Sequence, residues 1–149
     1  MGREQCGDDG VLIGKAGGGA AKSGRGEAAY KRAVDLHRKW EGKAEGRITT
    51  IVAPKAADLA LPETYLKCKD LAEAHGLRMT THLSQSWREV TQVEKLYGKT
   101  PPQHLRDLGV LNDRLTGAHC TYATEKDLKL IIEAGMGILH CRAVTNPLL

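Results

Sequence analysis

Three histidines share one setting in this sequence: each stands at or near the C-terminal end of a short apolar segment of the kind that forms β-strands. The segments and their histidines are residues 77–83 with His82, residues 115–120 with His119, and residues 136–141 with His140. Imidazole is the commonest metal ligand among side chains, and it changes its charge near neutral pH. Histidines in this pattern therefore indicate a metal-dependent or acid–base site.

Stretches with helical periodicity separate these segments and determine how the histidines are positioned. The predicted helices are residues 27–39, 62–75, 86–97, 101–108 and 125–134, and the predicted strands are residues 48–52, 77–83, 115–120 and 136–141. The clearest helix begins at Pro62 and ends before Gly76, as helix boundaries favour. Alternating strands and helices predict an α/β fold with a parallel sheet, whose strands all end at one edge. We expect the three imidazoles to converge at that edge.

The composition limits the classes of partner. The chain has 149 residues, which suits a single domain, and 27% of them are charged, as in ordinary globular proteins. It contains no Phe and few other aromatic residues, which disfavours a module that stacks nucleic-acid bases. The net charge of +4 is mild and its basic residues are interspersed with acidic ones. Since no apolar run approaches the roughly 20 residues of a membrane span, we expect neither nucleic acid nor membrane as a partner.

The cysteines and the N-terminal residues bear on the cellular compartment. Residues 1–9 are polar and acidic, unlike a secretory signal. The four cysteines are widely spaced and form no CxxC pair; they are Cys6, Cys68, Cys120 and Cys141. This spacing predicts reduced thiols in a cytoplasmic protein.

Residues 1–27 differ in composition from the rest of the chain. They are rich in glycine and lack apolar periodicity, which predicts a poorly ordered segment before an α/β domain over residues 28–149. Residues 98–100 do not complete a phosphate-binding loop. Gly98, Lys99 and Thr100 have the ending of that motif, but Val93 stands where its first glycine is required.

The histidine segments and one loop resemble the amidohydrolase superfamily, in particular its cytosine-deaminase-like and chlorohydrolase-like enzymes. The matching motifs are TTHLSQS at 80–86, YGKTP at 97–101, GAHC at 117–120 and ILHC at 138–141. The resemblance covers about residues 30 to 146. It implies about half of a (β/α)8 TIM-type barrel, with four parallel strands alternating with helices. The chain is expected to be a partial sequence from the middle of that barrel.

The resemblance also implies an activity and roles for particular residues. It implies one divalent metal, zinc or iron, and hydrolytic deamination or dechlorination of a small heterocyclic substrate, or hydrolysis of another C–N bond, by metal-activated water. By position, His82 would be a metal ligand and His119 a catalytic group that polarises the substrate. Gln85 falls where the family usually has a proton-transferring glutamate. His140 would either lie near the metal or the substrate or be purely structural. Trp87 would either line the pocket or cap the helix over the barrel wall.

The sequence departs from the family pattern in ways that leave an alternative open. It has no His-x-His pair, and the aspartate expected on the eighth strand would lie beyond Leu149. The amide of Gln85 is not a useful base near neutral pH. The alternative is a non-catalytic half-barrel that keeps the scaffold but lacks a complete metal site. Because an open parallel sheet exposes its edges, a homo-oligomer is expected in that case.

The remaining histidines and two cysteines are assigned structural positions. His37, His75 and His104 lie within or at the ends of predicted helices, which favours exposed side chains. Cys120 and Cys141 each follow a histidine directly. Alternation along a strand predicts that both thiols point away from those histidines and are buried by packing.

Overall fold

The computed structural model describes residues 23–141, and side chains from residue 28 onward. Helices and strands alternate along it in the predicted order. The elements are α1 (Ser23–Trp40), β1 (Ile51–Val52), α2 (Pro62–His75), β2 (Arg78–Leu83), α3 (Trp87–Tyr97), α4 (Pro101–Asp107), β3 (Leu115–His119), α5 (Glu125–Glu133) and β4 (Gly137–Leu139). Among the described helices, none is long and apolar enough to cross a membrane.

The four strands form one parallel sheet in the order β1-β2-β3-β4. Successive strands are neighbours, and at least one helix connects each pair. This arrangement is that of consecutive βα units in a (β/α)8 barrel. The prediction of an α/β fold with four parallel strands is confirmed.

The helices cover one face of the sheet. Met79, Thr81 and Leu83 alternate along β2 and are buried on that face, where the Tyr65 hydroxyl of α2 lies 2.8 Å from the Thr81 hydroxyl. The strands also approach the neighbouring segments closely. A Cβ atom added at Gly117 would lie 2.8 Å from the side chain of Met136, which explains the glycine there.

Two predicted boundaries differ from the structure at the start of the described region. Strand β1 is only two residues long, against the predicted residues 48–52. The preceding residues bond instead to the turn after α1, because Glu41 accepts from the Thr50 amide at 2.7 Å and Gly42 donates to Ile48. Helix α1 begins at Ser23, within the segment predicted to be poorly ordered. Residues 1–22 lie outside the described residues, and the division at residue 27 stays a prediction.

The prediction that His104 is exposed is wrong. Its ring is buried and stacks on Tyr97, with 3.9 Å between the ring centroids and 9° between the ring planes. Helix α4 places it there because its prolines and Leu105 are buried together with it. Burial, assisted by the charge of nearby Lys99, lowers the pKa of His104. His75 is exposed as predicted.

The positions of the other histidine and the two thiols are intermediate. His37 is half-buried, with its Nδ1 atom 2.9 Å from the Thr50 hydroxyl. Cys120 and Cys141 are also half-buried, so the prediction of full burial is wrong for both. The reason is that both lie just beyond the end of a strand, Cys120 one residue after β3 and Cys141 two residues after β4, where the sheet no longer encloses the side chain.

Candidate metal and catalytic site

Two of the three strand-end histidines meet at the C-terminal edge of the sheet. The rings of His82 on β2 and His119 on β3 stack with their centroids 5.3 Å apart and their planes 23° apart. The His82 side chain is exposed and that of His119 is half-buried. The two imidazole rings therefore lie side by side at the C-terminal edge of the sheet.

The backbone at the end of β3 explains how His119 reaches His82. The strand register pairs Ala118 with His82 and His119 with Leu83, so regular alternation would direct His119 to the opposite face. His119 instead has φ of 79° and Cys120 has φ of 54°. Left-handed conformations of non-glycine residues cost on the order of 1 kcal/mol each and concentrate at functional sites.

One hydrogen bond fixes which nitrogen of the His82 ring faces the protein backbone. Its Nδ1 atom lies 3.0 Å from the carbonyl oxygen of Lys55. A carbonyl oxygen only accepts, so Nδ1 carries a hydrogen, and in the neutral imidazole the lone pair is on Nε2. The amide of His82 donates to the same oxygen at 2.9 Å, which holds the residue beside the chain that leaves β1. An imidazole anchored through one nitrogen in this way is typical of metal ligands.

His119 has a different environment from His82. Its Nδ1 atom is buried and has no hydrogen-bond partner among the described residues. Burial lowers the pKa of His119, and the neighbouring His82 lowers it further. Both effects favour the neutral imidazole, which is the form able to accept a proton or donate a lone pair to a metal.

Gln85 lies in the short loop between β2 and α3, and a buried carboxylate holds the backbone there. Glu89 accepts hydrogen bonds from the amides of Ser84 at 3.0 Å and Gln85 at 2.8 Å. Its side chain is 1% exposed, and burial raises its pKa to about 7. The sequence interpretation overlooked Glu89, although the Ser86-x-x-Glu89 spacing is the signature of a helix capping box.

The structure does not bring the other two predicted residues into this pair. Trp87 is the first residue of α3 and is 66% exposed. His140 follows β4 and is exposed. Among the residues that the structure describes, His119 stacks on His82 and His140 does not. Trp87 and His140 are therefore placed at the same edge of the sheet without a defined contact to the histidine pair.

A second buried carboxylate lies in the loop between β1 and α2. Asp58 is 5% exposed, its Oδ1 atom has no hydrogen-bond partner among the described residues, and its Oδ2 atom is 3.9 Å from Arg88. Burial raises the pKa of Asp58. The charge of Asp58 in turn adds to the upward shift at Glu89. Asp58 in the loop after β1 and Glu89 in the first turn of α3 are thus two buried acids near the sheet edge.

The side chains at this edge of the sheet could supply part of the ligand set of a metal ion. Among the described residues there is no group of three or more His, Cys, Asp or Glu side chains that could hold a metal ion. His82 and His119 supply two imidazoles, one of them with its tautomer fixed for binding through Nε2. Imidazole suits both zinc and iron, so the pair fits either metal as part of a larger ligand set.

Comparison with known proteins identifies the family. The sequence matches the Amidohydrolase family over residues 4–145, and the chain therefore belongs to that family. A 5-methylthioadenosine/S-adenosylhomocysteine deaminase from Desulforamulus reducens is 37% identical over 114 residues, which are 76% of this chain and 26% of that protein. The resemblance inferred from the histidine motifs is confirmed.

Solved structures agree with the fold. An adenosine deaminase from Xanthomonas campestris with bound zinc aligns with a TM-score of 0.72 and 28% identity, over 78% of this chain and 26% of that one. An atrazine chlorohydrolase from Arthrobacter aurescens complexed with zinc gives a TM-score of 0.75 over 90% of this chain and 30% of that one, and its 22% identity makes this a likeness of fold alone. The chain spans about a quarter of the length of the relatives it matches.

Proposed function

We propose that this chain forms part of a metal-dependent hydrolase that deaminates or dechlorinates a small heterocycle, or cleaves another C–N bond. The observation that carries the proposal is the anchored imidazole of His82. Its Nδ1 atom is bonded to the Lys55 carbonyl, which leaves Nε2 available beside the ring of His119. Two imidazoles prepared in this way would supply part of the protein ligand set of a hydrolytic metal centre.

The proposed roles follow from the position and chemistry of each side chain. His82 would hold the metal through Nε2, and a divalent metal bound there would supply Lewis-acid activation of water near neutral pH. Burial lowers the pKa of His119 and so favours its neutral form, which would accept a proton or hydrogen-bond the reacting group of the substrate. Gln85 would donate or accept a hydrogen bond without transferring a proton. His140 and Trp87 would contact the substrate from the flanks of the same edge.

The substrate class and the metal are proposed from the relatives. The matching proteins include deaminases of 5-methylthioadenosine/S-adenosylhomocysteine and of adenosine, which favours an aminated nitrogen heterocycle. The zinc in the adenosine deaminase structure favours zinc over iron. A cytoplasmic location is proposed from the widely spaced cysteines, of which Cys68 and Cys120 are free thiols. Self-association through the open sheet edges is part of the same proposal.

A non-catalytic scaffold is the second candidate, and one observation favours it. No set of three metal-binding side chains exists among the described residues, and one divalent ion held by two imidazoles is weakly bound. Gln85 also stands where an acid–base residue would be useful. In that case the βα units would keep their fold and would provide a surface, without catalysing a reaction.

Ammonia release distinguishes the two candidates. The purified chain would be loaded with zinc and incubated with adenosine and S-adenosylhomocysteine, alongside His82→Ala, His119→Ala and the exposed control His75→Ala. Release of ammonia by the wild type and by His75→Ala, abolished in the other two variants, supports the hydrolase. Absence of ammonia release from a zinc-loaded chain counts against deamination of these two substrates and favours the non-catalytic scaffold over a deaminase.

A further inference from the structure

We propose that Glu89 is a positioning residue: its buried carboxylate fixes the loop that joins His82 to Gln85 and, through Ser84, aligns the loop that carries His119. The roles of these three residues rest on the proposed function. The effect of Glu89 on the position of these residues does not rest on the proposed function, because it can be measured without metal or substrate.

The carboxylate makes one bond with each of two successive amides. Its Oε1 atom accepts from Ser84 at 3.0 Å and its Oε2 atom accepts from Gln85 at 2.8 Å. Ser84 has φ of 47°, a left-handed conformation that a non-glycine residue holds only when its surroundings impose it. Since Glu89 is 1% exposed, water does not compete for these amides. The bend immediately after His82 is therefore set by Glu89.

The same bend is joined to the end of β3. The carbonyl oxygen of Leu83 accepts from the Cys120 amide at 2.9 Å, and that of Ser84 accepts from the Tyr122 amide at 2.9 Å. These bonds lie directly beside His82 on one strand and His119 on the other. A change in the peptide planes of Leu83 and Ser84 would therefore alter the left-handed turn at His119 and Cys120 as well.

Helix capping alone does not explain a carboxylate at this position. The hydroxyl of Ser86 already accepts from the Glu89 amide at 3.2 Å and caps α3. The carboxylate reaches past that cap to the two preceding residues. Only an acid presents two acceptor oxygens there, whereas glutamine would direct its NH2 group at one of the amide hydrogens.

NMR on the full ¹⁵N-labelled chain tests the proposal with matched variants. Glu89→Gln removes one acceptor, Ser86→Ala removes the cap but keeps the carboxylate, and Glu94→Gln changes an exposed acid on the same helix. We expect the Ser84 and Gln85 amides to exchange about tenfold faster in Glu89→Gln than in Ser86→Ala. We also expect the ring nitrogens of both His82 and His119 to shift in Glu89→Gln alone.

The outcomes separate positioning from stability. Ring resonances and amide exchange that change equally in Glu89→Gln and Ser86→Ala would overturn the proposal, since both variants weaken the start of α3. Should Glu89→Gln fail to fold, Glu89→Asp serves instead, because it keeps the charge but is too short to reach both amides. Ring nitrogens unchanged in Glu89→Asp would contradict the proposal, and shifts at both histidines would support it. Failure of zinc to bind would count against the proposed function and leave these readouts intact.

Discussion

The rings of His82 and His119 stack 5.3 Å apart although the strand register sets Ala118, not His119, opposite His82. The left-handed backbone at the end of β3 produces this meeting. Two imidazoles at that distance are disfavoured as a doubly protonated pair, because like charges at short range repel. Burial and the neighbouring ring also lower the pKa of His119, which favours the neutral form that binds a metal.

The strain at His119 predicts an unusual ranking of two substitutions. His119→Gly and His119→Ala both remove the imidazole, but only glycine accepts a φ of 79° without a steric penalty. We expect His119→Gly to be the more stable of the two by about 1 kcal/mol in the free energy of unfolding. Urea denaturation of both variants measures the difference. An alanine variant as stable as the glycine variant would show that the backbone there is not strained.

The raised pKa of Glu89 predicts that its contribution to the free energy of unfolding falls as the pH rises from about 4.5 to about 7. Burial raises the pKa of Glu89 from 4.5 to about 7, so the folded chain binds this proton more tightly than the unfolded chain. Its contribution is complete below pH 4.5 and is lost as the pH passes 7, with a loss of at most about 3 kcal/mol. The groups that face it are Asp58, whose raised pKa acts in the same direction, and Tyr65 and Cys120, which stay neutral over this range.

Denaturant unfolding at pH 5 and pH 8 measures this dependence. Glu89→Gln should flatten the profile between the two pH values, and Glu94→Gln, on the exposed side of α3, should leave it as in the wild type. A wild-type chain that gains stability from pH 5 to pH 8, with Glu89→Gln unchanged in slope, would contradict the raised pKa of Glu89.

The lowered pKa of His104 predicts the opposite dependence of folding stability on pH. Burial and the charge of Lys99 lower its pKa from 6.5, while Asp107 opposes this shift. The unfolded chain therefore takes up the proton first, and stability is lost as the pH falls below about 6.5. His104→Phe keeps a ring to stack on Tyr97 and should lose less stability between pH 7 and pH 5 than the wild type. The exposed His75→Gln is the control; equal losses in all three proteins would refute the assignment.

Much of the fold was predictable because local signals mark its boundaries. Pro62 begins α2, and Gly76 ends it in a left-handed conformation that favours glycine. Gly98 ends α3 in the same way, and Pro101 begins α4. These residues act through their own backbone preferences, which a sequence displays directly. Alternation of the resulting elements then determines a parallel sheet with its strand ends on one edge.

The details of the site depend on contacts between distant residues and were less accessible. Nothing local shows that His119 leaves the regular alternation of β3, since that departure involves bonds from its loop to Leu83 and Ser84. The burial of His104 depends on the packing of α4 against α3. Glu89 is the intermediate case: its spacing from Ser86 predicts a helix start, but its bonds to the preceding amides do not follow from that spacing.

Zinc titration followed through the ring nitrogens of His82 tests whether His82 is a metal ligand. We expect zinc to shift the Nε2 resonance of His82, while Nδ1 keeps its hydrogen on the Lys55 carbonyl. Zinc should also perturb His119, and His82→Ala should abolish the effect whereas His75→Ala should leave it unchanged. A zinc response that persists in His82→Ala, or a wild-type chain whose Nε2 resonance does not move at any zinc concentration, would contradict the assignment of His82 as a metal ligand.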